Sequence, residues 1–314
     1  ACIAGKDPVK MRQLPDTTGM KNEIIIQNMH RFPYEQAFRS GGGKLVEIGD
    51  SRYAHPWELE GAIGENTAAV AFLCAPLTNQ RALSLDLVCE IAHNRGVPVI
   101  VDAASMLPPR ANLKKYLAQG ADMVAFSGGK AIRGPQSTGI LCGRRDLVSS
   151  AAIQMLDMDD HLQLWNPPAD LVDSSKLDGL PRHGIGRPLK VSKEEVLALM
   201  TALELFASGA YDSDWADQHS RLETIAAELS GQPVTCSIEG TVEAERSPML
   251  AISIDETAAG RTAFEICRGL RSGTPPVYVS HGRLAQGCLV INPLCLDDTQ
   301  ALQLAGRVRE ELAG

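Results

Sequence analysis

Aromatic residues are scarce in this chain, at 4% of its length, which is too few for extended base-stacking platforms. Long apolar runs are missing as well. The longest, Ala68 to Leu77, is far short of the roughly 20 residues that a membrane helix needs. Positive charge is in deficit, with 30 basic against 38 acidic residues and a formal net charge of −8. Such a balance gives no general attraction to nucleic acid or anionic lipid. The cysteines at 2, 74, 89, 142, 236, 267, 288 and 295 never stand as Cys-x-x-Cys, and the closest pair, Cys288 and Cys295, has no histidine at metal-finger spacing. No metal site is expected, and the thiols read as free and buried in a reducing cytosol. The first residues, Ala1-Cys2-Ile3-Ala4-Gly5-Lys6-Asp7-Pro8, match neither a signal nor a transit peptide, and read as the end of a helix capped by Gly5.

What is present is an ordinary globular composition, 44% hydrophobic and 22% charged over 314 residues, enough for about two domains. From Glu23 to Gly143, short β-branched runs alternate with longer amphipathic ones. Strands are expected at Glu23–Gln27, Lys44–Ile48, Ala68–Leu73, Pro98–Val101, Asp122–Phe126 and Gly139–Cys142. Helical patterns lie between them at Tyr34–Arg39, Trp57–Ile63, Ser84–Arg95 and Asn112–Leu117. The alternation predicts an α/β domain with a mostly parallel sheet sandwiched by helices. A Pro-, Asp- and Gly-rich stretch over 157–187 interrupts the pattern and marks a functional or mobile loop. Helices follow at 192–206 and 214–229. Strands near 234–238, 249–254, 276–279 and 288–291, with helices near 258–270 and 297–312, predict a smaller α+β domain. The expected division is 1–190 for the large domain and 191–314 for an interdomain helix with the small one.

Chemistry is expected where strands end. Asp102 closes the strand ending at Val101, and Lys130 follows the strand Asp122–Phe126 through Ser127-Gly128-Gly129. In open α/β sheets, ligands bind outside the carboxyl ends of the strands, so neighbouring strands would bring both side chains to one crevice. An amine able to form a Schiff base, beside a carboxylate able to hold a pyridinium nitrogen protonated, is what pyridoxal phosphate enzymes require. Ser127 can bond the cofactor phosphate, and the glycines let backbone N–H groups approach an anion. A nucleotide phosphate loop fits neither Ser127–Lys130 nor Gly41-Gly42-Gly43-Lys44, since neither lies between a strand and a helix with Ser or Thr after the lysine.

Three blocks carry a family resemblance: Val101-Asp102-Ala103-Ala104-Ser105, the run from Gly120 to Lys130, and Gly134-Pro135-Gln136-Ser137-Thr138-Gly139. Leu45–Gly49, Glu60–Ala68 and Gly186–Glu195 extend it. Together they resemble the fold type I pyridoxal phosphate enzymes of the L-seryl-tRNA(Sec) selenium transferase-like group, which includes D-glucosaminate-6-phosphate ammonia-lyase-like proteins. The resemblance implies pyridoxal 5'-phosphate as cofactor and Lys130 as its Schiff-base lysine. Asp102 would partner the ring nitrogen, Ala104 would pack near the ring, Ser127 would contact the phosphate and His30 would stack on the ring. Arg187 and Lys190 would bind a substrate carboxylate or phosphate. It also implies a further segment before residue 1 that supplies part of the phosphate site, and a homodimer or higher homo-oligomer.

Where selenium transferases read Arg-x-x-Arg-Val-Asp-Lys, this chain has Arg187-Pro188-Leu189-Lys190-Val191-Ser192-Lys193, which keeps the charge but loses the second planar fork. The extra N-terminal domain with which bacterial selenium transferases hold tRNA is not expected here. The expected function is therefore a cytoplasmic, pyridoxal phosphate-dependent lyase. It would abstract an α-proton and eliminate a β-substituent from a small anionic amino acid or amino sugar acid, with no membrane or nucleic-acid partner. The alternatives are selenium transfer on L-seryl-tRNA(Sec) and a catalytically silent fragment of the same fold.

Overall fold

The computed structural model describes residues 1–74, 81–157, 161–177, 179–240 and 248–314. They divide into two compact units, Ala1–Glu204 and Leu205–Gly314.

In the first unit the elements run α1 (Pro8–Gln13), β1 (Glu23–Gln27), α2 (Gln36–Ser40), β2 (Lys44–Ile48), α3 (Pro56–Ala62), β3 (Thr67–Leu73), α4 (Leu85–His93), β4 (Val99–Asp102), α5 (Asn112–Ala118), β5 (Met123–Ser127), β6 (Gly139–Gly143) and α6 (Arg145–Met155). After the segment 157–192, α7 (Lys193–Ser208) carries the chain from the first unit to the second. The strands form one six-stranded sheet in the order β2-β1-β3-β4-β5-β6. All neighbouring pairs are parallel except β5 and β6.

The strands are apolar on alternate residues toward both sides, which requires cover on both faces. Ile25, Val70, Phe72, Val99, Val101 and Val124 pack with Leu59 of α3, Val88, Ile91 and Ala92 of α4 and Tyr116 of α5. Ile24, Ile26, Ala69 and Ala71 form a separate cluster with Ile3, Phe38 and Ile100. Helix starts follow local capping rules. Asp7 caps α1, with Pro8 at its first position, and the Ser84 side chain accepts the Leu87 N–H at the start of α4.

The second unit comprises α8 (Asp214–Glu228), β7 (Val234–Glu239), β8 (Met249–Ile254), α9 (Glu256–Ala259), α10 (Ala263–Ser272), β9 (Cys288–Ile291) and α11 (Asp298–Ala313). Its sheet is antiparallel throughout, β7-β8-β9. Leu250, Ile252, Leu289 and Ile291 pack against Leu222 and Ile225 of α8, Ile266 and Leu270 of α10, and Leu304 and Val308 of α11.

Four expectations are corrected. The strand expected near 276–279 is not formed; only a single bridge joins Ser280 to Val290. Pro275 and Pro276 lack the N–H groups that a ladder would use. The helix expected over 258–270 is two helices, because Gly260 turns left-handed at φ 64° and Thr262 starts α10 with a capping box to Glu265. Helix α6 was not expected, because Ser149, Ser150 and Gln154 lie on its buried side and blur the apolar period. All eight cysteines are free, and Cys295 is exposed rather than buried.

Candidate active site

β4 and β5 lie side by side and parallel, with Asp102 in register with Ala125. The Ala103 N–H donates to the Ala125 carbonyl at 2.9 Å, so the two strands leave the sheet together. Asp102 therefore stands at the same edge as Ser127 and the turn that bears Lys130.

That turn is a braced loop. The Gly128 N–H donates to the Thr138 carbonyl at 3.0 Å, and the Gly134 N–H returns to the Gly128 carbonyl at 2.8 Å. Between them the Arg133 N–H donates to the Lys130 carbonyl at 2.9 Å, and the Gln136 amide donates to the Gly129 carbonyl at 2.8 Å. Ile132 is fully buried and anchors the loop from inside. Arg133 takes a left-handed φ of 66°, uncommon for a residue with a Cβ and a local strain that the bracing must hold. Glycine is required at 128: a Cβ there would lie 2.1 Å from Thr138 Oγ1 and 2.7 Å from Leu199 Cδ1.

The polar groups at this edge are left open. Asp102 is half-buried; its Oδ1 accepts the Ala104 N–H at 3.0 Å, while among the described residues nothing bonds to Oδ2. Neither the Ser127 hydroxyl nor the exposed Lys130 amine has a hydrogen-bonding or ion-pair partner among them. Ala104 is half-buried beside Asp102, two residues past the end of the strand.

A second carboxylate, Asp122, shows the contrast. It precedes β5 at the opposite edge of the sheet and is buried. Its side chain accepts the Val99 N–H at 2.7 Å, His93 Nε2 at 2.8 Å and Arg144 Nη1 at 3.0 Å. Burial alone would raise its pKa, but the bonds from Val99, His93 and Arg144 outweigh that and hold the carboxyl below its usual range. Asp122 is satisfied by protein on both oxygens, whereas among the described residues Asp102 is engaged on Oδ1 alone.

His30 differs from expectation. It is fully buried and meets Phe72 edge-on at 4.5 Å between ring centroids, and the Leu73 N–H donates to its Nδ1 at 3.4 Å. With no exposed surface, the ring offers no face for a cofactor to stack on. Arg187 and Lys190 do meet, around Asp157: Arg187 Nη2 is 2.5 Å and Lys190 Nζ 3.7 Å from Oδ2, and His183 Nε2 is 2.9 Å from Oδ1. The Arg187 bond, foremost, lowers the pKa of Asp157. Neither Asp157 nor His183 could be found from spacing, since they are 26 residues apart. No hydrogen bond or ion pair among the described residues joins this cluster directly to Asp102 or Lys130.

The mostly parallel sheet, with a carboxylate and a lysine at neighbouring strand ends and a smaller antiparallel unit beyond, has the fold of the type I pyridoxal phosphate enzymes. The cofactor of that class is pyridoxal 5'-phosphate. Residues 24–160 match the family model described as L-seryl-tRNA selenium transferase. The chain is 29% identical over 320 residues to 5'-C-glycyluridine monooxygenase-decarboxylase of a Streptomyces species, covering 99% of this chain and 72% of that protein. It is 28% identical over 315 residues to D-glucosaminate-6-phosphate ammonia lyase of Salmonella typhimurium, covering 99% and 76%. A solved D-glucosaminate-6-phosphate ammonia-lyase structure superposes with a TM-score of 0.79 at 27% identity, covering 99% of this chain and 76% of that one. The similarity to these relatives extends over nearly the whole chain.

The open groups fit such a cofactor. An unengaged carboxylate oxygen suits a ring N–H, an unengaged amine suits an aldehyde carbon, and a hydroxyl beside two glycines suits a phosphate.

Proposed function

We propose that this chain is a pyridoxal phosphate-dependent lyase that removes the α-proton from an amino acid and expels a β-substituent. The observation that carries this reading is the set of three unengaged polar groups, Asp102 Oδ2, Ser127 Oγ and Lys130 Nζ, at adjacent strand ends. Half-buried polar groups are normally satisfied within the protein, so Asp102 Oδ2 and Ser127 Oγ, unengaged among the described residues and with an exposed amine at the same edge, point to a ligand. Pyridoxal phosphate, when bound, supplies a sink for the charge that develops at the substrate α-carbon. The Asp102 carboxylate would hold a proton at the ring nitrogen, while the Ser127 hydroxyl would bond the phosphate. Lys130 takes the proton from the substrate α-carbon as general base and can return it as general acid. Ala104, half-buried two residues past the end of β4, would pack near the ring.

The substrate class follows from two supports. The names of the two relatives share one chemical denominator, an α-amino acid built on a sugar skeleton. Arg187 and Lys190, gathered at Asp157 with the His183 ring beside them, place positive charge that a substrate phosphate or carboxylate could engage in place of Asp157. We therefore infer an anionic amino sugar acid or a similar small amino acid as substrate, for a cytoplasmic homodimer or higher homo-oligomer. Selenium transfer on L-seryl-tRNA(Sec) is the second reading, supported by the family model over residues 24–160.

The test is an absorbance titration of the purified protein with pyridoxal phosphate, followed by borohydride reduction and peptide mapping. A visible band and a reduced adduct on Lys130 are expected. An adduct on another lysine, or none, overturns the assignment. Release of ammonia and a keto acid from amino sugar acids, without a tRNA gel shift, separates the first reading from the second.

A further inference from the structure

Helix α7 touches the lysine loop at its narrowest point. Glu195 and Leu199 are one turn apart and so lie on one face of the helix. The side chain of Leu199 fills the space over the neck of the loop: Cβ atoms built on Gly128 and Gly134 would fall 2.7 and 3.0 Å from its Cδ1. These two glycines are the pair whose backbones close the loop around Lys130 at 2.8 Å. Glu195 divides its carboxylate between two duties. Its Oε2 accepts the Ser192 N–H at 3.2 Å, while its own N–H donates to Ser192 Oγ at 3.2 Å, a box that caps the helix start. Its Oε1 accepts the hydroxyl proton of Ser137, on the returning arm of the lysine loop. Bonds from Ser137 and Ser192 lower the carboxyl's pKa, so it is ionised and a strong acceptor at neutral pH.

We infer that Glu195 and Leu199 are positioning residues for Lys130, with the start of α7 acting as a strut that fixes the loop and thereby the reach of the amine. A glycine neck alone would be loose, because glycine has the widest choice of backbone conformations. Two contacts from a regular helix remove that freedom without placing any side chain in the crevice. The inference rests on Lys130 being the cofactor lysine, but its first readout does not.

The test compares Leu199→Ala, Glu195→Ala, Glu195→Gln and Ser137→Ala with Leu197→Ala, a control on the exposed side of the same helix. Hydrogen exchange is measured on cofactor-free protein across residues 128–138. Leu199→Ala and Glu195→Ala are expected to speed exchange there about tenfold, the scale of one lost bond to a charged group or one lost packing contact. Ser137→Ala, which leaves the helix cap intact, is expected to give a smaller rise in the same segment, and Glu195→Gln should recover part of the protection. In the loaded enzyme, kcat falls while KM holds. Faster exchange confined to α7, with 128–138 unchanged, overturns the strut. If exchange in 128–138 responds but the reduced adduct maps to another lysine, the strut stands and the assignment of Lys130 fails. Should Leu199→Ala not fold, the exposed Ser137→Ala variant decides the matter alone.

Discussion

The contrast between Asp102 and Asp122 yields a prediction that separates cofactor binding from folding. Asparagine at 102 keeps the shape of the side chain and can still accept the Ala104 N–H, but carries no charge for a ring nitrogen. A hydrogen bond to a charged partner contributes about 1.5–3 kcal/mol, and 1.4 kcal/mol is a factor of ten, so Asp102→Asn should weaken pyridoxal phosphate binding about 10- to 150-fold. Stability without cofactor should stay within about 0.5 kcal/mol of the parent, since nothing else among the described residues bonds to Oδ2. Asp102→Ala also abandons the Ala104 N–H and should lose about 1 kcal/mol of stability besides. Asp122→Asn should do the reverse, destabilising the fold while leaving cofactor affinity near that of the parent. The assay pairs an absorbance titration with a urea melt for each variant. Undiminished affinity in Asp102→Asn, or a fall in its urea midpoint as large as that of Asp122→Asn, would refute the division of labour between the two carboxylates.

Asp122→Ala strands the Val99 N–H and unpairs His93 and Arg144, which costs about 3 kcal/mol and should lower Tm by roughly 6–12 °C for a unit of this size. Acid should act through two depressed carboxyls. Glu35 is held at about 2, chiefly by Arg31 and then Arg39 against the penalty of burial, and Asp122 is also held low. Their stabilisation is complete above the unfolded carboxylate range near pH 4 and is lost as pH falls toward the folded values, so a melt series from pH 6 to about pH 2 should show stability falling only below about pH 4. Gly128→Ala drives a methyl into Thr138 and Leu199 and should destabilise by about 1–3 kcal/mol, with a larger relative loss of cofactor affinity, readable in the same titration. Among the thiols, Cys295 should alkylate first by mass spectrometry. Cys74 and Cys89, whose thiols burial pushes up to about 12, should react only on unfolding.

Much of the sheet was legible because its strands are short apolar runs between turn residues, and burial on both faces leaves little room for another register. β1 and β2 match the expected ends, and the other four strands differ by a residue at either end. The failures lie where polar residues are buried or where a turn signal sits inside an apolar run. Gln154 and Ser150 bond to each other inside α6 and to the backbone, so the helix buries groups that periodicity counts as exposed. At 260–265 a left-handed glycine and a Thr-x-x-Glu box were present in the sequence and mark the break between α9 and α10. The places of Asp102 at the end of β4 and of Lys130 after β5 were legible in the sequence. His30 had the right place but the wrong surroundings, because only the packing of Phe72 and Leu73 shows that it is enclosed. Glu195 and Ser137 are 58 residues apart in sequence, and no local pattern announces their contact.

The two edges of the sheet thus divide structural and chemical work by how completely they satisfy their polar groups. At the edge where β4 and β5 begin, Asp122 gathers a backbone N–H, an imidazole and a guanidinium, and ties the two strands to α4 and the start of α6. Where the same strands end, the protein braces the backbone with the hydrogen bonds of the 128–138 loop yet leaves one carboxylate oxygen, one hydroxyl and one amine without partners among the described residues. A rigid frame around unengaged groups is the arrangement that favours binding, because the entropy of ordering them is spent during folding rather than on the ligand. The same arrangement makes the ligand a stabiliser. A group bound only by the folded protein adds RT ln(1 + [L]/Kd), so pyridoxal phosphate at a hundredfold excess over its Kd should add about 2.7 kcal/mol to the first unit. That gain should shrink in step with affinity in Asp102→Asn and vanish if the open groups serve some other ligand.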